Sequence, residues 1–218
     1  MGTRGAMGFR LAGRDHIVYN GYDSDPGYLG RAILEALHRR GEAIGHDGLI
    51  GELKQRVRSL VGVDQTIPPT SENKAWCESL GLVNLDVATR SMDDWHCLLY
   101  GTQGNLEKLL EARFYQPRED FIGDSLFCEF AYIINLDDET LEFYTGFNKR
   151  NGHRSEGRYW DAVPKDELEP FIETGVDIDG KEFEWLNNYG PVALALTVSV
   201  SNLMSNGPDA VVGLMLST

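Results

Sequence analysis

The tightest constraint in this chain is the stretch from Leu126 to Leu136, which is apolar on both faces and carries Glu129 as its one charge. A strand of that kind needs a layer on each side, so it predicts the centre of a covered sheet. Asp137-Asp138-Glu139 then turns the chain into a second strand over Thr140 to Tyr144. A similar hairpin is expected at the N-terminus. Met7, Phe9 and Leu11 alternate along residues 5–11, Ala12-Gly13-Arg14-Asp15 form a turn, and a short strand runs from His16 to Asn20. Gly21 to Tyr28 is dense in turn formers and reads as a loop.

Helical spacing dominates the middle. Leu29, Ile33 and Leu37 repeat at four-residue intervals up to a stop at Gly41, and Leu53, Val57 and Leu60 mark a second amphipathic helix. Ser71 is placed to cap a short helix containing Trp76 and Cys77, Asp93-Asp94 opens a helical turn, and Gly104-Asn105 starts another with Leu106, Leu109 and Leu110. Pro164 to Phe171 reads as one further helix. Val192, Leu194, Leu196, Val198 and Val200 form one face of a late strand, and Ala210 to Leu216 reads as a last strand. Strands at both ends with helices between them predict an α+β fold: a mostly antiparallel sheet with an N-terminal β-hairpin and helices layered on it. At 218 residues, without repeats or a dividing linker, one domain spanning 1–218 is expected.

The net charge of −14 is uneven: residues 120–190 hold 17 Asp and Glu against 6 Lys and Arg. An acidic chain repels a nucleic-acid backbone, so no nucleic-acid partner is expected. The longest apolar stretch, Val192 to Val200, is too short to span a bilayer, so no membrane partner is expected either. Arg4, Arg10 and Arg14 have no apolar run behind them, as a secretory signal requires. The three cysteines, Cys77, Cys97 and Cys128, lack paired spacing and read as free buried thiols in a reducing compartment. A cytoplasmic protein is expected.

Met1-Gly2-Thr3-Arg4-Gly5, followed by Tyr19-Asn20-Gly21-Tyr22-Asp23-Ser24, resembles a family of largely uncharacterised bacteriophage and bacterial proteins that open Met-Gly-Thr-Arg-Gly. The likeness is strongest over residues 1–30. It continues as a similar order of elements to about residue 145, through Asp93-Asp94-Trp95 and Phe121-Ile122-Gly123-Asp124-Ser125. The chain departs from that pattern at Asp25 and in the glycine spacing around Tyr28-Leu29-Gly30. The resemblance implies a phage-type or bacterial protein acting in the host cytoplasm, and implies no activity.

The order of elements also resembles N-terminal-nucleophile hydrolases, whose first residue uses its own α-amino group as base. That resemblance implies Thr3 as nucleophile, Arg4 and Asp23 as positioning groups and Asn20 as oxyanion donor in an amide-bond hydrolase or an inactive relative. Loss of Met1 alone exposes Gly2, so this mechanism needs a further cut before Thr3. The structural alternative is that Arg4 pairs with Asp23 or Asp25 and Asn20 caps the turn.

A second chemically loaded stretch runs from Lys149 to Arg158. Lys149, Arg150, His153, Arg154 and Arg158 place cations inside the acidic half, and Gly152 and Gly157 free backbone N–H groups for an anion. With Arg4, Tyr22 and Asp25 these residues make up the expected ligand set. The reading is a pocket at the N-terminal hairpin that binds an anionic small molecule such as a nucleotide without turnover. An acidic protein-interaction module is the third possibility, and a solvated loop is the plainest account of residues 149–158. The histidines lack zinc-like spacing and Asp137-Asp138-Glu139 lacks a calcium-loop pattern, so neither metal nor cofactor is expected.

Overall fold

A computed structural model describes residues 2–150, 156–164, 167–176 and 181–218. In chain order the elements are β1 (Gly5–Leu11), β2 (Arg14–Asn20), α1 (Arg31–Ser59), β3 (Val61–Gly62), α2 (Ser71–Ser79), α3 (Trp95–Leu98), α4 (Leu106–Glu111) and β4 (Phe114–Tyr115). There follow β5 (Phe130–Asn135), β6 (Thr140–Thr145), α5 (Arg158–Asp161), β7 (Phe171–Val176), β8 (Glu182–Asn187), β9 (Ala193–Ser199) and α6 (Val200–Met215). The fold is α+β. Its main sheet has the order β2-β1-β5-β6-β9, with β1 parallel to β5 and every other pair antiparallel. β5 is central, as its two apolar faces require.

Alternation sorts the side chains into two cores. Met7, Phe9, Val18, Tyr132, Ile134, Leu141 and Phe143 join the face that carries α1 and α6. Ala6, Ile17, Ala131, Ile133 and Tyr144 point the other way, against Ile122, Cys128 and Val192. Burying large apolar side chains such as these contributes roughly 1.5–3 kcal/mol each, which is what holds the layers together. Gly8 lets β1 and β2 close: a Cβ there would collide with the His16 carbonyl.

Several local expectations change. The N-terminal turn is only Ala12-Gly13, both at positive φ (52° and 74°), so β2 begins at Arg14. Two positive φ angles give a turn whose twist matches that of the strands. Gly41 does not stop a helix. It lies inside α1, pressed against Met204 of α6, and the break comes at Gly45 with φ 75°. Thr70, not Ser71, caps α2, in a reciprocal capping box with Asn73. The strand expected from Leu126 begins only at Phe130, and Leu126 and Phe127 are exposed. Phe171, expected in a helix, opens β7, and Lys165 and Asp166 of that expected helix lie outside the described residues.

The late strand differs most. A bulge opposite Phe143/Tyr144 reverses its alternation, so Val192 and Leu194 join one core while Leu196 and Val198 join the other. Ala210 to Leu216, expected as a strand, falls largely within α6, where Val211, Val212 and Met215 are buried at helical spacing.

Candidate functional site

The residues expected to carry chemistry at the start of the chain divide into two places. Thr3, Asn20, Asp23 and Asp25 gather at the open end of the hairpin, where Gly5 pairs with Asn20. The backbone N–H of Ser24 donates to the Thr3 hydroxyl at 2.8 Å. The Asn20 amide donates to the buried Ser24 hydroxyl at 2.8 Å and to the Tyr22 carbonyl, which uses both its hydrogens and leaves none for an oxyanion. Tyr132 of β5 donates to the Ser24 carbonyl at 2.9 Å, and Asp25 accepts the Gly27 N–H at 2.9 Å. Asn20 thus closes the 20–24 loop. Arg4 sits apart: its guanidinium lies 4.7 Å above the Phe127 ring and, among the described residues, makes no ion pair with Asp23 or Asp25.

The cationic stretch is also spread out. The backbone of Lys149 pairs with that of Tyr189 in an isolated antiparallel bridge, and Arg150 donates to Asn187 at 3.3 Å and to the Glu167 carbonyl. His153 and Arg154 lie outside the described residues. Arg158 turns inward to the lower face of the sheet, the one opposite α1 and α6 that carries Tyr144. It donates to Asp15 at 3.2 Å, to Tyr144 at 2.8 Å, to Tyr159 at 3.0 Å and to the carboxylate of buried Glu142. Asn135 and Tyr144 each donate to Glu142 at 2.8 Å, and Arg10 donates to Asp15 at 3.0 Å. Arg158 therefore serves as an internal counter-ion for two carboxylates.

The opposite end of the hairpin carries a groove that the sequence reading did not find. On the helix side of the sheet, Arg14, His16, Lys54, Arg58 and Asp137 line a cavity of about 570 Å³. Around the edge of β2 a second cavity of about 580 Å³ continues from the same Arg14 and His16 to Tyr115, Ile122, Tyr159 and Pro191. Alternation on β2 sends Arg14 and His16 to the α1 side, and α1 brings Lys54 and Arg58 over them. Lys54 is paired with Glu139 at 3.2 Å. Among the described residues, Arg14 and Arg58 have no carboxylate partner.

Asp137 stays ionised and offsets one of the groove's cations, and its carboxylate accepts the turn amides of Ala12 and Gly13 at 2.7 and 2.9 Å. Those bonds, that from Gly13 first, hold its pKa below the usual carboxylate range. His16 lies 3.3 Å from the Tyr115 hydroxyl, which is 3.2 Å from Glu119. Burial lowers the His16 pKa and raises that of Tyr115, so at neutral pH both are uncharged. No local signal marks this groove in the sequence. Its parts come from residues 14–16, 54–58 and 115–122, which only the packing of α1 and of the 115–122 segment against β2 brings together.

Comparison with protein-family models, with curated proteins and with solved structures finds no match to this chain. The geometry defines an α+β protein with a groove wrapped around an edge strand, basic on its helix side and bordered by Asp15 and Glu119 beyond the edge. Among the described residues no helix is long and apolar enough to cross a membrane, and no group of three or more His, Cys, Asp and Glu side chains is arranged to hold a metal ion.

Proposed function

We propose that this protein binds an anionic small molecule such as a nucleotide, without turnover, in the groove at the turn end of its N-terminal hairpin. The observation that carries this reading is the pair Arg14 and Arg58. Two guanidiniums line one cavity without carboxylate partners among the described residues, on a chain of net charge −14. Guanidinium groups grip phosphate and carboxylate oxygens through paired N–H donors. The adjoining cavity offers Tyr115, Ile122, Tyr159 and Pro191 to the ring or chain that bears the anion, and its carboxylates Asp15 and Glu119 keep the anion itself on the Arg14–Arg58 side. The intracellular, phage-type setting belongs to the same reading and rests on the resemblance of residues 1–30.

No observation favours hydrolysis at Thr3, whose hydroxyl already accepts the Ser24 N–H. The test is to incubate the protein with a nucleotide panel, remove free ligand, denature it and identify what is released. Wild type releases a retained nucleotide, and Arg14→Glu/Arg58→Glu releases none. Arg150→Glu, at a residue engaged with Asn187 and Glu167, retains binding. If wild type releases nothing, or the double variant retains ligand, the reading fails.

A further inference from the structure

At the open end of the hairpin, about 20 Å from the basic groove along a seven-residue strand pair, lies a cleft of the opposite character. It holds about 470 Å³ between Tyr22, Tyr28, Tyr100 and Asp23, over a floor of Leu29 and Ala32. Tyr22 is 52% exposed and Tyr28 67%, in a chain whose other large side chains mostly fill the two cores. Burial first, and then the Tyr22 phenol near it, raise the Tyr100 pKa above the ordinary phenol value. Asp23 is the one charged side chain along the cleft and, among the described residues, it has no cationic partner.

The backbone that carries this carboxylate is fixed. Asp23 has φ 49°, in the left-handed region, and lies within the loop closed by Asn20, Ser24 and Tyr132. Its backbone carbonyl accepts the Leu29 N–H, which fixes the loop to the turn that follows. A small anion finds no donor cation here. A carboxylate, three phenols and an apolar floor instead match a positive head group that carries methyl or methylene groups.

We infer that this cleft is a second binding site, for an organic cation of the alkylammonium class. Asp23 supplies the counter-charge, the three tyrosines the electron-rich surround, and Leu29 with Ala32 the contact for the alkyl part. The site is independent of the basic groove and takes a ligand of the opposite sign.

The test uses choline and its neutral isostere 3,3-dimethylbutan-1-ol, titrated into the intact protein at low salt while backbone amide NMR shifts are followed. Choline shifts Gly101, Gln103, Gly104 and Asn105 saturably, and the neutral isostere binds about tenfold more weakly or not at all. Asp23→Asn keeps the backbone conformation, which asparagine tolerates, and lowers choline affinity about tenfold. Tyr28→Ala, at an exposed position, weakens it as well without loss of fold. Arg14→Glu/Arg58→Glu leaves choline binding unchanged. Equal binding of the isostere, an unchanged affinity in Asp23→Asn, or shifts that map elsewhere overturns the inference.

Discussion

The carboxylate of Asp137 accepts the backbone N–H of Gly13 at 2.9 Å and so ties the turn between β5 and β6 to the turn between β1 and β2. Both turns border the basic groove, and the same carboxylate takes the Ala12 N–H at 2.7 Å. These bonds depress the Asp137 pKa, so the stabilisation they bring is present above the unfolded value of about 3.9 and is lost as pH falls through the lower folded value. Asp137→Asn is therefore expected to melt below wild type at pH 6–7. The gap between the two melting curves closes towards pH 3. A gap that is constant with pH contradicts this account.

Buried Tyr132 makes a more protected bond. Its hydroxyl donates to the Ser24 carbonyl at 2.9 Å beneath the 20–24 loop. Tyr132→Phe keeps the ring that packs on Phe143 and removes only this donor. The expected cost is about 1 kcal/mol by urea unfolding, with faster hydrogen exchange in residues 20–30.

Arg158 stands between Asp15 and Glu142 on the lower face of the sheet, and all three side chains are largely buried. Arg158→Met leaves Glu142 without its cation and Asp15 with Arg10 alone, and a loss of about 3 kcal/mol is expected. Adding Glu142→Gln to that variant removes one stranded charge and restores part of the stability. A double variant no more stable than Arg158→Met means that the network is not electrostatic in origin.

His16 supplies a pH signature for the basic groove. Burial lowers its pKa, Arg14 adds to that effect, and Glu119 and Asp15 oppose it. Tyr115 caps one ring nitrogen, and Lys54 and Arg58 face it across the cavity. Protonation adds a cation, so the affinity for sulfate, whose charge is constant over this range, is expected to rise several-fold from pH 7.5 to pH 5. His16→Gln flattens that rise. Without ligand the sign reverses: a histidine with a lowered folded pKa makes the fold lose stability as pH drops below about 6.5.

Much of this fold was legible in the residues themselves. The hairpin alternation of Met7, Phe9 and Leu11, the two-faced apolar run that holds β5, and the helix starts at Asp94 and Asn105 are all local patterns present in the fold, although β5 begins four residues later than expected. Local patterns failed where one residue shifted the phase. The bulge in β9 split a single apolar face into two, and Gly207-Pro208 broke the helical period of α6 into pieces short enough to read as a strand.

The sequence by itself determined an acidic α+β chain with a hairpin at its start, because alternation, turn chemistry and charge are properties of neighbouring residues. Only the tertiary structure decided what the charged residues do. Arg158 and Asp15, 143 positions apart, meet as an internal ion pair, whereas Arg14 and Arg58 meet across a cavity. A guanidinium is defined by whatever packing sets opposite it, and those partners come from distant parts of the chain.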